Sequence, residues 1–297
     1  MPSETLVQEA RIHSTPMVNN LLSNPGFDIW QRGAGPFTSA GLTADEWYMA
    51  VNSGVTPNLV RSTDAKFGDY SLDMQVEGCS IGHTIESWRE LMGKWITFSC
   101  WVKCPKENGC LLLLTGWNGT TEASDVVWNT GSPNWEQMVG TFQVPTNLTP
   151  SGIPGFFPHA FPLRVGVSFF APGKLDGCVV AEGYHPEGLD YVPSNPAQDL
   201  ENCQRFYQAS DGGSTDYGGM LRYRQDVAAG SVYWGSMWFR TPMYALPTVS
   251  LTNVGASRFP TTPGTVQRDT KGFKEYRTAS TTGASGYFVS NWTAEVT

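Results

Sequence analysis

The sequence is poor in charged residues and contains no cluster of basic ones. Charged residues make up 15% of the 297-residue chain, and acidic residues outnumber basic ones, which gives a formal net charge of −8 and a pI near 5.0. The dominant attraction between proteins and nucleic acids comes from clustered Lys and Arg side chains. The composition therefore argues against a nucleic-acid-binding protein.

A long apolar segment is also missing. The longest purely aliphatic run, Leu111 to Leu114, is only as long as a strand, whereas a membrane-spanning helix needs about 20 apolar residues. The first 17 residues include Glu4, Glu9 and Arg11 and have no apolar core of signal-peptide length. We expect neither membrane insertion nor Sec-type secretion.

The signatures of common catalytic sites are absent. The four histidines lie in unrelated contexts, and the chain has no Gly-x-Ser-x-Gly elbow, phosphate-binding Gly-x-x-x-x-Gly-Lys loop or His-Glu-x-x-His motif. We therefore predict that the protein is not an enzyme. A glycosidase needs only two carboxylates a few ångströms apart and stays an open alternative. The carboxylates that could form such a pair are Asp45, Glu46, Glu86, Glu90, Glu122 and Asp125.

Six cysteines are present, but none forms a closely spaced pair. The only local cluster is Cys100, Cys104 and Cys110, and zinc sites use tighter paired spacing. In a chain made in a reducing cytoplasm, buried free thiols are the common case. We predict free thiols rather than a metal site.

Glycine, proline and aromatic residues are plentiful, at 32 residues, 20 residues and 12% of the chain. This composition is typical of short strands joined by tight turns. Several segments between residues 18 and 193 alternate apolar and polar positions, such as 95–102 and 137–144, which puts one face of a strand on a core. The pattern predicts an all-β protein, with an antiparallel β-sandwich over residues 18–193.

One helix and a second β-unit are predicted after the sandwich. Asn195 is a good N-cap, Pro196 suits the first turn and Gln198 is placed to close a capping box, so we expect a linking helix within residues 194–209. Strand patterns resume over residues 210–297, which predicts a smaller C-terminal β-domain. Residues 1–17 are polar and lack apolar periodicity, as an extended arm that needs a partner would be.

Seven of the eleven tryptophans fall into two groups. Four lie within apolar strand patterns and are predicted to be core residues, namely Trp30, Trp47, Trp95 and Trp101. Another three, Trp117, Trp128 and Trp135, lie in a segment rich in Gly, Asn, Thr and Ser, where side chains can face solvent. We predict that these three form a carbohydrate-binding platform. The alternative is that they cap the sandwich or line a subunit interface, where aromatic residues are also enriched.

Five segments resemble known phage proteins. They are residues 20–33 (NLLSNPGFDIWQRG), 43–47 (TADEW), 91–103 (LMGKWITFSCWVK), 141–145 (TFQVP) and 199–207 (DLENCQRFY). In this order they resemble the jelly-roll modules of bacteriophage tail-fibre, head-fibre and virion structural proteins, with Phe206 where a tyrosine is usual. The resemblance covers residues 19–210 well and the C-terminal unit loosely, and it implies a jelly-roll sandwich.

The same opening is similar to carbohydrate-binding modules of the jelly-roll type. In those modules an acidic residue after the Asn-Pro-Gly-Phe turn and a late aspartate help to hold a structural calcium ion. The resemblance would assign these roles to Asp28 and Asp176, and hard oxygen ligands suit calcium. The alternative is that Asp28 only forms the turn. No other cofactor is expected.

The resemblance predicts a phage virion structural protein, a fibre or spike subunit made in the cytoplasm of the bacterial host. Residues 1–17 would anchor it to other virion proteins of the capsid, portal or tail. The fibre analogy implies a homo-oligomer, a trimer, and the distal surface would contact host surface glycans. Two alternatives stay open: a capsid decoration or tail protein with a purely architectural role, and a glycan-degrading spike.

Overall fold

The computed structural model describes residues 18–120, 122–150, 161–209, 221–260, 262 and 265–296. The predicted arm, residues 1–17, lies outside them. The first unit contains the following elements: β1 (Gly41–Leu42), β2 (Tyr48–Val51), β3 (Leu59–Ser62), β4 (Ser71–Met74), β5 (Cys79–Thr84), α1 (Trp88–Leu91), β6 (Trp95–Lys103), β7 (Cys110–Trp117), β8 (Glu122–Trp128), β9 (Glu136–Gln143), β10 (Leu163–Phe169) and β11 (Gly173–Glu182).

The remaining elements follow in the second half of the chain. They are α2 (Pro196–Gln204), β12 (Tyr207–Ala209), β13 (Leu221–Val227), β14 (Val232–Trp238), β15 (Thr248–Ser257), β16 (Thr265–Arg268), β17 (Gly272–Thr278) and β18 (Gly283–Glu295). Neither of the two described helices is long and apolar enough to cross a membrane.

Two antiparallel sheets form the sandwich. A six-stranded sheet has the order β1-β2-β5-β10-β7-β8, and a five-stranded sheet has the order β3-β4-β11-β6-β9. Neighbouring strands in each sheet are joined by antiparallel ladders. The predicted fold class, an all-β antiparallel jelly-roll sandwich, is confirmed.

The sandwich core lies between the two sheets. Alternation in β7 places Leu112 and Leu114 inward and fully buried, while Leu111 and Leu113 point outward and are half-buried. Phe27 and Trp47 are fully buried in the same core, with ring centroids 4.7 Å apart. Burial of each large apolar side chain stabilises the fold by about 1.5–3 kcal/mol.

The tryptophans predicted for the core follow the prediction only in part. Trp30 and Trp47 are buried. Trp101 is half-buried and Trp95 is 42% exposed, so the prediction was wrong for these two. Trp95 is the first residue of β6 and packs edge-on against Tyr184, at 5.1 Å between ring centroids. Apolar patterning does not distinguish the interior of a strand from its exposed first residue. All six cysteines are free and buried, as predicted.

Helix α2 begins as predicted and ends earlier. The Asn195 side chain accepts a hydrogen bond from the backbone N–H of Ala197, and Pro196 occupies the first turn. The Gln198 side-chain amide donates to the Asn202 side chain at 3.3 Å, and no capping-box bond from Gln198 to Asn195 is present among the described residues. The helix ends at Gln204 rather than near residue 209, since residues 207–209 form β12 and pair with β18.

A second core fills the C-terminal unit. One sheet joins β12, β18, β13 and β15, and the other has the order β14-β17-β16. Between them lie the buried aromatic rings of Phe239, Phe273 and Trp292, whose centroids are 5.4–6.0 Å apart. This cluster is separate from the sandwich core.

Candidate functional site

The outer face of the six-stranded sheet carries a groove of about 480 Å³. We call this surface the groove face. It comprises the outward residues of β2, β5, β10, β7 and β8, chiefly Tyr48, Ser80, Gly82, Leu111, Leu113, Thr115, Ser124, Val126, Trp128, Arg164, Gly166 and Ser168.

Two glycines form the floor at the centre of the groove face. Gly82 and Gly166 are cross-strand partners, with Tyr48 beside Gly82 and Leu113 beside Gly166. A Cβ atom on Gly166 would lie 2.4 Å from the Ile81 carbonyl oxygen, so the close approach of these strands requires glycine here. The absence of side chains leaves a depression between larger residues.

Polar groups line the same depression. The Ser80 and Ser168 hydroxyls share a hydrogen bond of 2.7 Å. Arg164 is 6% exposed and stands between Thr84 and Thr115 in the cross-strand register. The groove therefore combines hydroxyl groups and a guanidinium with apolar surface, which is the mixture found in small-ligand sites.

An exposed aromatic pair borders the groove face at β8. Trp128 is 45% exposed and Phe170 is 40% exposed, and their ring centroids are 5.3 Å apart. Val126, the next outward residue of β8, is 46% exposed. These three side chains make a continuous apolar border along the edge strand of the sheet.

The structure does not gather the three predicted platform tryptophans in one place. Trp117 and Trp128 lie at opposite ends of the β7–β8 hairpin. Trp128 pairs with Leu111, which is six positions before Trp117 on β7. Six residues of a strand span about 20 Å. Trp117 is half-buried. Trp135 is also half-buried and precedes β9, which belongs to the other sheet. Of the three, Trp128 presents the most accessible ring.

Two of the six carboxylates that the sequence leaves open as a hydrolytic pair form ion pairs away from the groove. Asp45 is buried and bonded to Arg32 at 2.8 Å, and Glu86 pairs with Arg205 at 3.1 Å. Among the described residues that line the groove there is no carboxylate.

Asp28 and Asp176 lie close enough for their charges to interact. Asp176 is fully buried next to a bulge in β11, where Gly177 has a φ of 54°. Burial, with a smaller contribution from the negative charge of Asp28, raises the pKa of Asp176 to about 7, although three backbone N–H groups act to lower it. Burial also raises the pKa of Asp28.

The hydrogen bonds of this pair do not fit a calcium site. Asp176 accepts three backbone N–H groups, from Lys66 at 2.7 Å, Phe67 at 2.9 Å and Gly177 at 2.7 Å. Calcium takes about six to eight oxygen ligands, and the described residues hold no group of three or more His, Cys, Asp or Glu side chains placed for a metal. The pair instead fixes the loop between β3 and β4, since Asp28 also accepts the Asp69 N–H at 3.3 Å.

Sequence reasoning missed most of the groove face. A usable signal was present, because the outward positions of β5 and β10 hold Ser80, Gly82, Gly166 and Ser168, and two neighbouring strands with small outward residues produce a depression. The sequence does not show which strands are neighbours. β5 and β10 are adjacent although about 80 residues separate them.

No protein-family model matches the chain, and a search of curated proteins finds no match. Solved structures align at low similarity. The C-terminal family 22 carbohydrate-binding module of Clostridium thermocellum Xyn10B is 14% identical over 51% of this chain and 91% of that one, with a TM-score of 0.36. The CBM22-1–CBM22-2 tandem domain of Paenibacillus barcinonensis Xyn10C is 13% identical over 94% and 90%, with a TM-score of 0.36.

A phage protein also aligns. The enzymatically active domain of bacteriophage CBA120 tailspike protein 4 is 11% identical over 55% of this chain and 21% of that one, with a TM-score of 0.38. Scores at this level assign the chain to no family.

Proposed function

We propose that this chain is a non-catalytic, saccharide-binding structural subunit of a bacteriophage particle, and that the groove face holds the saccharide. The observation that carries the binding proposal is the groove of about 480 Å³ with its glycine floor and hydroxyl lining. The exposed ring of Trp128 lies on the same sheet face, at the edge strand. The assignment to a phage particle rests on the sequence resemblance of residues 19–210.

The chemistry of the groove face suits a sugar. A pyranose ring offers apolar C–H faces and polar hydroxyl edges. Trp128 and Phe170 provide exposed ring surface for the C–H faces. Ser80, Ser168 and Arg164 provide donors and acceptors for the hydroxyls, since a few placed polar groups in an apolar site give orientation and specificity.

In this proposal the groove binds a saccharide without hydrolysing it. Glycoside hydrolysis needs two carboxyl groups flanking the scissile bond. The described lining of the groove contains hydroxyls, an amide and a guanidinium and no carboxylate. The saccharide would therefore be held intact.

The particle context of the proposal comes from residues 1–17 and the fibre analogy. In this proposal the polar N-terminal arm attaches the subunit to capsid, portal or tail proteins, the subunit assembles as a homotrimer, and the groove face is presented to glycans of the host surface. The protein would be made in the bacterial cytoplasm and act in the virion.

A purely architectural role is the second candidate, and the border of the groove face favours it. Val126, Trp128 and Phe170 are each at least 40% exposed on or beside an edge strand, and exposed apolar patches of this kind also mark protein contacts. In that case neighbouring virion subunits would cover the border, and the groove would hold no ligand.

The test is binding of the full chain to an array of bacterial O-antigen and capsular polysaccharides. Trp128→Ala should weaken binding about tenfold, the loss expected for about 1.4 kcal/mol of ring contact. Thr115→Trp, which places a ring in the groove, should abolish it. Trp95→Ala is the matched control, because Trp95 is similarly exposed, at 42% against 45%, but lies on the other sheet.

Two further variants test the platform predicted from sequence. Trp117→Ala and Trp135→Ala should weaken binding less than Trp128→Ala, because both rings are half-buried and Trp135 lies outside the six-stranded sheet. Unchanged binding in both Trp128→Ala and Thr115→Trp would refute the groove face as the site. Failure of the folded protein to bind any polysaccharide would favour the architectural role.

A further inference from the structure

A second aromatic surface lies on the C-terminal unit, far along the sequence from the groove face. The outward residues of β14 include Val232, Trp234 and Trp238, which are 53%, 56% and 70% exposed. We call their surface the C-terminal tryptophan face. It consists of Trp234, Ser236, Trp238, Gln267, Lys274 and Tyr276, which are brought together by the β14-β17-β16 sheet.

Trp234 and Trp238 lie in a row along β14. Trp234 and Trp238 are four residues apart on the same side of β14, a spacing of about 13 Å. Between them is Ser236, whose cross-strand partner is Lys274. Tyr276 is the partner of Trp234, with ring centroids 6.4 Å apart. The face therefore has an aromatic group at each end and polar groups in the middle.

A small groove of about 200 Å³ lies beside Trp238. Its lining includes Gln267, Lys274 and Gly272, the cross-strand partner of Trp238. A Cβ atom on Gly272 would lie 2.3 Å from the Met237 carbonyl oxygen, so only glycine permits this strand approach. The missing side chain opens the groove next to the indole ring.

Packing does not account for the position of Trp238. An aromatic side chain that covers a cross-strand glycine stabilises a sheet, and Trp238 stands opposite Gly272. Even so, 70% of Trp238 remains exposed. Most of this ring is therefore free to contact something outside the unit.

The polar residues between the rings suit a saccharide better than a second protein surface. The Tyr276 hydroxyl donates to Gln267 Oε1 at 2.7 Å, which orients the Gln267 amide and leaves its NH₂ group as a donor. The Lys274 ammonium adds further donors in the middle of the face. The central part of a protein interface is depleted in Lys, whereas sugar hydroxyls need such donors between stacking rings.

We propose that the C-terminal tryptophan face is a second saccharide-binding site, in which one chain of a bacterial surface polysaccharide stacks on Trp234 and Trp238 and hydrogen-bonds to Ser236, Gln267 and Lys274. The site is built entirely from the C-terminal unit. It does not depend on whether the groove face binds a ligand.

The experiment uses the full chain and the same array of O-antigen and capsular polysaccharides. Trp234→Ala and Trp238→Ala should each weaken binding of at least one polysaccharide about tenfold, while Trp128→Ala leaves that binding unchanged. Trp238→Tyr should restore most of it, because an aromatic ring is retained. Trp95→Ala is again the control for loss of an exposed tryptophan.

Sedimentation velocity on the same variants separates a ligand site from an interface between copies of the chain. We expect the tryptophan variants to have the same sedimentation coefficient as the parent protein, because both tryptophans contact a sugar and not another copy of the chain. Dissociation of an oligomer on Trp234→Ala or Trp238→Ala, without loss of polysaccharide binding, would overturn it. Full binding by the Trp234→Ala/Trp238→Ala double variant, or no binding to any polysaccharide by the parent protein, would overturn it as well.

Discussion

Arg32 donates a hydrogen bond of 2.9 Å to Glu295 across the joint between the sandwich and the C-terminal sheet. The same guanidinium donates to the buried Asp45 at 2.8 Å and lies 3.8 Å from the centre of the Tyr207 ring. Arg32 and Asp45 belong to the two opening segments that carry the resemblance to phage proteins. These segments therefore hold the C-terminal unit against the sandwich.

Replacing Arg32 should destabilise the joint strongly. Arg32→Met leaves Asp45, which is 0% exposed, without its cation, and breaking a buried pair in this way costs about 3–5 kcal/mol. Urea unfolding measures the loss. Glu295→Gln is the matched comparison, because the Glu295 side chain is 33% exposed and its pair should contribute about 0–1 kcal/mol. Equal losses for the two variants would contradict this reading of the joint.

Stability should fall as pH rises from about 4 to about 7. Burial raises the pKa of Asp176 to about 7 from an ordinary value of 3.8, so in this range the folded chain binds more protons than the unfolded chain. Burial raises the pKa values of Asp28, Asp45 and Asp199 in the same direction. The measurement is the free energy of unfolding in urea at about pH 5 and about pH 8.

Asp176→Asn tests the source of this pH dependence. The substitution removes the titrating group and keeps one oxygen acceptor for the loop, so the difference between the two pH values should shrink. Asp64 and Glu136 have lowered pKa values, mainly through bonds to Lys103 and Thr130, and they act in the opposite sense below about pH 4. A free energy of unfolding that rises between pH 5 and pH 8 would contradict the assignment.

The C-terminal unit should depend on a buried ion pair of its own. Glu275 and Arg277 lie on β17 with side chains at most 1% exposed, and Arg277 also donates to the Pro260 carbonyl at 2.8 Å. Arg277→Met should cost about 3–5 kcal/mol, and Glu275→Leu/Arg277→Met should recover much of it. Scanning calorimetry would show an early transition for the C-terminal unit alone. A double variant as unstable as the single one would refute this pairing argument.

Deleting residues 1–17 should leave the sandwich folded and prevent incorporation into particles. The first described buried residue of the sandwich core is Leu22. The midpoint of thermal unfolding, followed by circular dichroism, should therefore be unchanged. Incorporation is measured by complementing a phage that lacks the protein and assaying purified particles for the chain. Normal incorporation of the shortened chain would refute the anchoring role of the arm.

Strands and the start of the helix were predicted well from local sequence patterns, because they depend on residues that are close in sequence. Alternation in segments such as 137–144 predicted strands, and Asn195 with Pro196 predicted the first turn of α2, since both depend on residues adjacent in sequence. The end of α2 was predicted too late. The pairing of Tyr207 with Glu295 in β12 and β18 is a long-range contact that no local pattern contains.

The candidate sites could be predicted less well than the fold. Sequence reasoning proposed Trp128 correctly as an exposed ring, but it grouped Trp128 with Trp117 and Trp135, which strand register separates. The C-terminal tryptophan face was missed, although Trp234 and Trp238 alternate with Gly235 and Met237 on one strand. Which side of a strand faces solvent depends on the neighbouring sheet, and that information is not local.

The pairing of β12 with β18 has a consequence for the order of events during synthesis. β12 lies at residues 207–209 and its partner residues are 293–295, so the C-terminal sheet cannot close until the ribosome has made β18. All strands of the sandwich precede residue 183 and can assemble while the rest of the chain is still being translated. The sandwich can therefore be complete before the hydrogen bond between Arg32 and Glu295 forms, because that bond needs a residue near the end of β18.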